Sequence, residues 1–393
     1  MIVKLAIALA LFTPLLATDA VPPAGLTVHE WGTFTSVAAA DGSAVPWVSL
    51  NPPADLPCFV YHLSAQCVKC GANSVRMETP VIYFYSAQPL TASVRVDFPA
   101  GLITEWYPQA IRTSSLQSGM TYGNGGNIEW RGVQVLPGAT EEFPTAGDRS
   151  HYYAARETDS APLRVGAEAE KVLFYRGIAN FDIPIQPKFR AGGNLEIRNA
   201  GPDPVGFAIL FENRGGKFGY RVIRDLRNSV TVESPNLTNA VESVHQELAG
   251  ALTAAGLYPK EAAAMVETWR DSWFEEGMRI FYLVPRKTVD ALLPLKIAPS
   301  PGAIERVFVG RVELLSPAMQ KSLETALQEG DTMALRKFGR FLRPFSERIL
   351  NAPGTVRVSL ASSNFLARES LSAAQPNPAP CRVAPPVIPT EQQ

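Results

Sequence analysis

The chain has 393 residues, of which 46% are hydrophobic and 19% are charged. This composition supplies enough apolar side chains for a full core and excludes a chain that is disordered throughout. Its 36 Lys and Arg residues almost balance its 37 Asp and Glu residues. No overall field therefore favours binding to nucleic acid or to an acidic membrane surface.

Residues 1–20 have the pattern of a signal peptide. Lys4 supplies a positive charge, "LAIALALFTPLLA" is a short apolar stretch, and "TDA" ends at Ala20, where cleavage is expected. The apolar stretch is shorter than the roughly 20 residues that span a bilayer. We predict an extracytoplasmic protein, periplasmic or secreted, with no transmembrane segment after cleavage. A retained N-terminal anchor is the alternative.

Residues 21–235 are predicted to form a β-sandwich-like region. "PVIYFY" (80–85) is apolar on both faces, as in a central strand, whereas "SVRVDF" (93–98) alternates apolar and polar residues. Turn-forming residues separate many such short stretches. The first predicted strand is "VHEWGTFTSV". We expect Trp31 and Phe34 to be buried on its opposite sides, and Gly32 to lie where a neighbouring chain or ring comes close.

The cysteines of this region favour a disulfide. Cys58, Cys67 and Cys70 lie close together, and Cys381 lies near the C-terminus. The C-x-x-C pair lacks the His that follows it in a haem attachment site and the second pair of a zinc site. In an exported protein we predict a disulfide between Cys67 and Cys70, or between one of them and Cys58. The connectivity stays open.

Residues 236–370 are predicted to form an α+β region. Val241, Val244, Leu248 and Leu252 have helical spacing, and Pro259 is expected to open a second helix. Ser316 is predicted to cap a third helix, and Asp331 a last one that runs to Leu350 with a kink at Pro344. A final strand is predicted over Thr355–Leu366. The tail, residues 371–393, is rich in proline and is predicted to be disordered.

Several segments resemble an uncharacterised family of exported bacterial proteins. The segments that carry the resemblance are "HEWGTFTS", "RMETPVIYFY", "ITEWYP", "HYYAARETD", "FYRGIANF" and "GLYPKEAAAMVETWRDSWFEEG". They extend over most of the chain, from about His29 to Pro317. The resemblance implies a family but no activity, fold or site residues. Function must therefore be inferred from the residues themselves.

Two segments contain the first candidate site residues. His29 and Glu30 are adjacent, so on a strand they point to opposite faces and do not enter one pocket unless a bulge or a strand end lies between them. "HYYAARETD" combines His151, Tyr152, Arg156 and Glu157, a mixture expected of a binding loop. His151 or Glu157 could serve as a general base, and Arg156 could hold a carboxylate or phosphate. If a site exists, we expect it where His29 or Glu30 meets this segment. A hydrogen-bonded strand histidine and a surface ion-pair network are the alternatives.

Two further sets of carboxylates could supply a site. Glu78, Glu105 and Glu129 lie beside aromatic residues, as the acids of sugar-cleaving enzymes often do. Glu267, Asp271 and Glu275 are spaced to line one face of a helix, where they could bind a cation or simply face solvent. The sequence does not show that any two of these groups converge.

The sequence supports two classes of function. It contains no G-x-S-x-G, H-E-x-x-H or phosphate-binding glycine motif, and we predict no cofactor and no metal ion. The favoured class is an extracytoplasmic binding or structural protein that holds a glycan, a peptide or a partner protein. The alternative is a secreted hydrolase that acts on sugars, with carboxylates or His151 as acid and base.

Overall fold

The computed structural model describes residues 25–48, 56–63, 72–113, 125–146, 150–352, 354 and 356–372. The protein is mainly β, with several sheets and a set of C-terminal helices, as the sequence predicts. The predicted signal segment and most of the predicted disordered tail lie outside the described residues.

The strands follow one another along the whole described chain. They are β1 (Thr27–Val37), β2 (Trp47–Val48), β3 (Tyr61–His62), β4 (Ala72–Asn73), β5 (Val75–Tyr85), β6 (Leu90–Phe98), β7 (Gly101–Tyr107), β8 (Ile111–Thr113), β9 (Gly126–Val135), β10 (Leu163–Val165), β11 (Glu168–Glu170), β12 (Leu173–Ala179), β13 (Ile185–Phe189), β14 (Leu195–Asn199), β15 (Val205–Arg214), β16 (Lys217–Leu226), β17 (Ser229–Val232), β18 (Gly277–Leu283), β19 (Leu295–Ala298) and β20 (Ala303–Leu314).

The helices are concentrated in the C-terminal half. Among the described residues they are α1 (Val241–Ala254), α2 (Pro259–Thr268), α3 (Arg270–Trp273), α4 (Arg286–Leu292), α5 (Pro317–Glu329), α6 (Thr332–Arg336), α7 (Leu342–Leu350) and α8 (Leu360–Ser372), with 3-10 helices at His151–Arg156 and Gly339–Phe341. Pro259 begins α2, and the side chains of Ser316 and Asp331 cap α5 and α6, as predicted.

Within the described ranges, the largest sheet has nine strands in the order β16-β15-β18-β20-β1-β5-β12-β7-β3. Strand β1 pairs in parallel with β20 and antiparallel with β5. Strands β18 and β20 come from the region after residue 235, yet they lie between β15 and β1. The boundary predicted at residue 235 therefore does not separate two sheets, because both regions contribute to this one.

Strand β1 is buried on both faces. Phe34 packs in one apolar core and Trp31 in the other, as its alternation predicts. Gly32 lies where the Phe308 ring approaches, and a Cβ there would be 2.6 Å from a ring carbon. Glycine is therefore required at this position by close packing, which confirms the prediction for Gly32.

One face of the nine-stranded sheet forms a β-sandwich with smaller sheets. The opposing strands are β11-β10-β9-β6-β19, with β8 paired to β9, and β13-β14-β17. Phe34 and Val28 of β1 belong to the same buried cluster as Val94 of β6 and Trp130 of β9. This face is covered by strands.

The opposite face is covered by two groups of helices. The first group is α1, α2, α3 and the 3-10 helix His151–Arg156, which share a buried cluster with Trp31. The second group is α5 to α8 and the 3-10 helix Gly339–Phe341, which pack around Val37 at the end of β1. The two groups meet over the middle of the sheet.

Two predictions for the C-terminal part are wrong. Thr355–Leu366 was predicted as a strand, but helix α8 begins at Leu360, because the Ser359 hydroxyl accepts a hydrogen bond from the amide of Ser362 and caps it. The predicted helix from Asp331 to Leu350 is divided into α6, a 3-10 helix and α7. The break lies at Gly339, which has a φ of 48°, and not at Pro344.

Candidate functional site

A row of buried charged residues lies on the helix-covered face of the sheet, where the two helical groups meet. Neighbouring strands supply its members, and the burial of so many charges requires mutual pairing. They are Arg76 and Glu78 on β5, Arg176 on β12, Arg279 on β18, and Arg311 and Glu313 on β20.

Glu78 is paired with two arginines, one from a helical segment and one from its own strand. Nη1 of Arg340, from the second helical group, lies 2.5 Å from its Oε1, and Nε of Arg76 lies 3.2 Å from the same oxygen. The hydroxyl of Thr35 donates to Oε2 at 2.6 Å. Burial alone would raise the pKa of Glu78, but the two guanidinium groups hold it well below the usual range. Glu78 is therefore an ionised carboxylate.

A second group of ion pairs in the charged row is centred on Arg311 and Glu313. Nη2 of Arg311 donates to Oε1 of Glu275 at 2.9 Å, and Nε of Arg311 donates to Glu313 at 2.6 Å. Glu313 also lies 2.7 Å from Nε of Arg279. Burial opposes ionisation of Glu275, but Arg311 and its neighbouring arginines lower the pKa of this carboxylate. Glu78 and Glu275 are thus both ionised carboxylates.

A cleft of about 320 Å³ opens on this charged row between the two helical groups. Its walls combine buried charges from the sheet with polar and aromatic side chains from the helices. It is lined by Leu56, Glu78, Thr79, His151, Tyr152, Arg176, Thr268, Trp269, Asp271, Ser272, Glu275 and Arg340.

The strands beneath the cleft are irregular. Thr79 has a φ of 49°, a conformation that is unfavourable for a β-branched residue. The registers of β1 with β5 and of β12 with β5 shift at this level, and that of β12 with β7 shifts beside Arg176. Bulges and strained residues occur preferentially beside functional sites. The register shifts and the strained Thr79 lie at the cleft, which supports the cleft as the candidate functional site.

His151 lies at the mouth of the cleft. Its Nε2 is 3.4 Å from Oδ2 of Asp271, and both side chains are well exposed. The predicted carboxylate stripe of Glu267, Asp271 and Glu275 is divided, because α2 ends at Thr268. Asp271 and Glu275 line the cleft, whereas Glu267 pairs with Arg270 on the surface.

His29 lies elsewhere on the same face of the sheet. Its Nδ1 is 2.7 Å from Oε2 of Glu261 in the first turn of α2, and both side chains are buried. The same carboxylate accepts hydrogen bonds from the Tyr85 hydroxyl and the Tyr258 amide, each at 2.8 Å. Burial and the Glu261 charge raise the pKa of Tyr85 well above its usual range, so it remains a neutral donor.

Glu30 points to the opposite face, as the strand geometry predicts. It accepts hydrogen bonds from the Tyr175 hydroxyl and from Nε of Arg306, both at 2.5 Å. Nη1 of Arg306 also donates a hydrogen bond to Oδ1 of Asp290 at 2.8 Å. His29 and Glu30 therefore belong to two separate networks.

The 151–159 segment is split among different roles. His151 and Tyr152 line the cleft, but Arg156 makes a two-pronged ion pair with Glu170, which also accepts from the Tyr152 hydroxyl. Four aromatic rings surround the Arg156 guanidinium. Glu157 is exposed on the surface. The contacts of His29 and Glu30 are to other residues, so the structure does not gather the predicted residues into one site.

Other predicted groups have simpler outcomes. Glu105 is buried opposite Arg176 in the β7–β12 register, and Glu129 pairs with Arg131 on the smaller sheet. Cys67 and Cys70 lie outside the described residues, so their pairing with each other or with Cys58 stays a prediction. In the described part of the chain, no three His, Cys, Asp or Glu side chains come together as metal ligands. None of the described helices has the length and apolar character needed to cross a bilayer.

Sequence reasoning identified five of the twelve residues that line the cleft, in separate groups, and missed the other seven. The five are Glu78, His151, Tyr152, Asp271 and Glu275. Arg340 carried no local signal because its partner Glu78 is 262 positions away. Thr79 could have been noticed only as the residue before a proline in a strand. The convergence of these residues is a property of the tertiary fold.

Comparison with known proteins adds little. No protein-family model matches the chain, and a search of curated proteins found no match. Among solved structures, the yeast delta-COP-I mu-homology domain, alone and complexed with a Dsl1 WxWxV peptide, aligns with a TM-score of 0.27 and 8% identity. The alignments cover 75% of this chain and 98% of that domain. A likeness at this TM-score carries no argument about fold or function.

Proposed function

We propose that the protein is an exported binding protein and that its ligand enters the cleft between the two helical groups. The signal-like residues 1–20, the closely spaced cysteines and the resemblance to exported bacterial proteins support export. A cleft of about 320 Å³ lined by buried charges and aromatic rings supports a small-molecule site.

One observation favours binding over sugar hydrolysis. Glycosidases need one carboxylic acid that remains protonated near neutral pH, usually because burial raises its pKa. For two carboxylates of this cleft the opposite holds, since arginines outweigh the effect of burial and lower the pKa of Glu78 and of Glu275. Fixed ion pairs of this kind preorganise a polar surface for a ligand but do not deliver a proton.

The proposal is tested by ligand-induced thermal stabilisation of the mature protein. Separate panels of saccharides, short peptides and divalent cations are screened. A ligand at about 100 times its Kd adds about 2.7 kcal/mol to the unfolding free energy. We expect Ser272→Phe, which fills the cleft wall, to abolish the shift. Ser363→Phe, the same change on the exposed face of α8, should retain it.

The outcomes are distinct. A shift that survives Ser272→Phe means that the ligand binds outside the cleft. The absence of any shift across all three panels contradicts a small-molecule binding function.

A hydrolase is the second candidate, and one contact favours it. His151 and Asp271 face each other at the cleft mouth, with 3.4 Å between Nε2 and Oδ2, which is an arrangement that can move a proton. Cleavage of aryl glycosides by the wild-type protein, lost in His151→Ala with ligand binding intact, would favour this function. No cleavage by the wild-type protein excludes it for these substrates.

A further inference from the structure

We propose that the cleft takes an uncharged saccharide and that the side chain of Thr79 contacts it. This inference rests on the binding function proposed above and specifies its ligand. It is carried by the charge balance around the cleft, by the groups that remain accessible there, and by the backbone of Thr79.

The charges around the cleft compensate one another. Each carboxylate deep in the cleft already has a guanidinium partner, so a charged ligand would have to compete with an internal ion pair. In the described residues, two guanidinium groups and three carboxylates line the cleft, and three further guanidinium groups and two further carboxylates lie on the strands beside it. The cations are Arg76, Arg176, Arg279, Arg311 and Arg340, and the anions are Glu78, Glu105, Asp271, Glu275 and Glu313.

The accessible groups suit hydroxyl donors. Asp271 keeps 73% of its side-chain surface exposed, and Glu275 keeps 32%, although Arg311 bonds its Oε1. Carboxylate oxygens have about four lone-pair positions, so each can accept further hydrogen bonds from ligand hydroxyls. Trp269 and Tyr152 line the same cleft, but they are only 7% and 3% exposed, so the apolar surface that they add for the carbon skeleton of a sugar is narrow.

Thr79 is the strained residue of this cleft. A threonine with a φ of 49° is disfavoured by the close approach of its Cβ to the backbone, and such conformations persist where the surrounding structure imposes them. The side chain is almost fully buried yet lines the cleft beside Glu78 and Arg176. Thr79 thus contributes to the cleft lining a residue whose hydroxyl group can both donate and accept a hydrogen bond.

The experiment uses isothermal calorimetry on the mature protein with defined probes. The uncharged probes are maltose, cellobiose and lactose, and the charged probes are glucuronic acid and glucosamine. Thr79→Val removes the hydroxyl and keeps the shape, whereas Thr79→Ser keeps the hydroxyl. We expect an uncharged probe to bind best, Thr79→Val to weaken it roughly tenfold, and Thr79→Ser to restore most of the affinity. Unfolding midpoints are measured for each variant so that a folding defect is recognised.

Each outcome decides a separate point. Equal affinity of wild type and folded Thr79→Val overturns the role of Thr79 but leaves the saccharide site standing. Preference for glucuronic acid or glucosamine, or binding at the cleft only of a peptide from the thermal screen, overturns the uncharged saccharide and leaves the binding function intact. Failure of every ligand class at the cleft overturns the proposed function and this inference with it.

Discussion

The two faces of the nine-stranded sheet each contain a buried carboxylate bound by an arginine. A comparison of the two networks shows which features beyond the ion pair itself indicate a functional site. Glu30 on the sandwich face is bonded by Arg306 and by the Tyr175 hydroxyl. Glu78 on the helix face is bonded by Arg340 and by the Thr35 hydroxyl. The chemistry of the two networks is nearly the same.

Their surroundings differ. The Glu30 network lies between packed strands in the sandwich core. Both carboxylates are at most 1% exposed, but the Arg306 side chain is 1% exposed whereas that of Arg340 is 15% exposed. The Glu78 network lies at the floor of a cleft, beside a strained residue and between two helical groups. A buried ion pair is therefore no sign of function by itself. Access and strain distinguish the second network.

The largest expected effect on stability comes from a change in the Glu30 network. Arg306→Met leaves the Glu30 charge buried without its cation, so we expect a loss of about 3–5 kcal/mol in unfolding free energy, measured by urea denaturation. Arg343→Met is the matched control, because Arg343 and Glu347 form an exposed pair on α7 that shares no residue with the Glu30 network. Its loss should stay below about 1 kcal/mol. Equal effects of the two variants would contradict a closed, desolvated network around Glu30.

An intermediate effect is expected at His29. His29→Ala removes one of three donors to the buried Glu261 carboxylate, and we expect a loss of about 1–3 kcal/mol in unfolding free energy. His151→Ala, at an exposed position, should change it by no more than about 0.5 kcal/mol. A stable His29→Ala protein would show that Tyr85 and the Tyr258 amide suffice to hold Glu261.

The Glu78 network should make the unfolding free energy depend on pH. The folded-state pKa of Glu78 lies well below the unfolded value of about 4.3, so the unfolded chain takes up a proton first as pH falls. The stability that Glu78 contributes is complete above about pH 5 and is lost progressively at lower pH. Unfolding free energies of wild type and Glu78→Gln, measured by urea titration, should therefore differ by a constant amount at pH 6 and 7, and the difference should begin to shrink below about pH 4.5. Parallel curves throughout would mean that Glu78 is not held by its arginines.

The smallest expected effect concerns the strain at the cleft. Thr79→Gly relieves a left-handed conformation that costs roughly 1–2 kcal/mol, against an entropic penalty of roughly 0.5–1 kcal/mol for glycine. We expect thermal unfolding to show a net gain below about 1 kcal/mol. A marked loss of stability would show that contacts of the Thr79 side chain outweigh its strain.

The local features of the fold could be predicted from sequence, and the pairings could not. The alternation around Trp31 and Phe34 defines two faces of β1, and capping residues locate α5 and α6. The segment after Thr355 misled because Val356 and Val358 alternate like a strand, while the buried positions Ser362 and Phe365 follow a helical spacing.

The candidate site was predictable only in fragments. Titratable residues beside aromatics are visible in the sequence, which is why Glu78 and His151 were candidates. The arginine that stabilises the ionised form of Glu78 can come from a distant part of the chain, as its pairing with Arg340 shows. Charge alone did not indicate which carboxylates were neutralised, because burial and pairing are set by tertiary contacts.

The parallel pairing of β1 with β20 has a consequence for how the chain folds. Thr27 pairs with Ala303, so the middle of the sheet closes only when distant parts of the chain meet. Contacts of such high sequence separation slow folding, since a long loop must be closed before they form. A chain ending near residue 235 would lack β18 and β20 and would leave β1 and β15 with unpaired edges. Unpaired edges of this kind promote intermolecular strand pairing, so truncated chains should aggregate where the full chain folds.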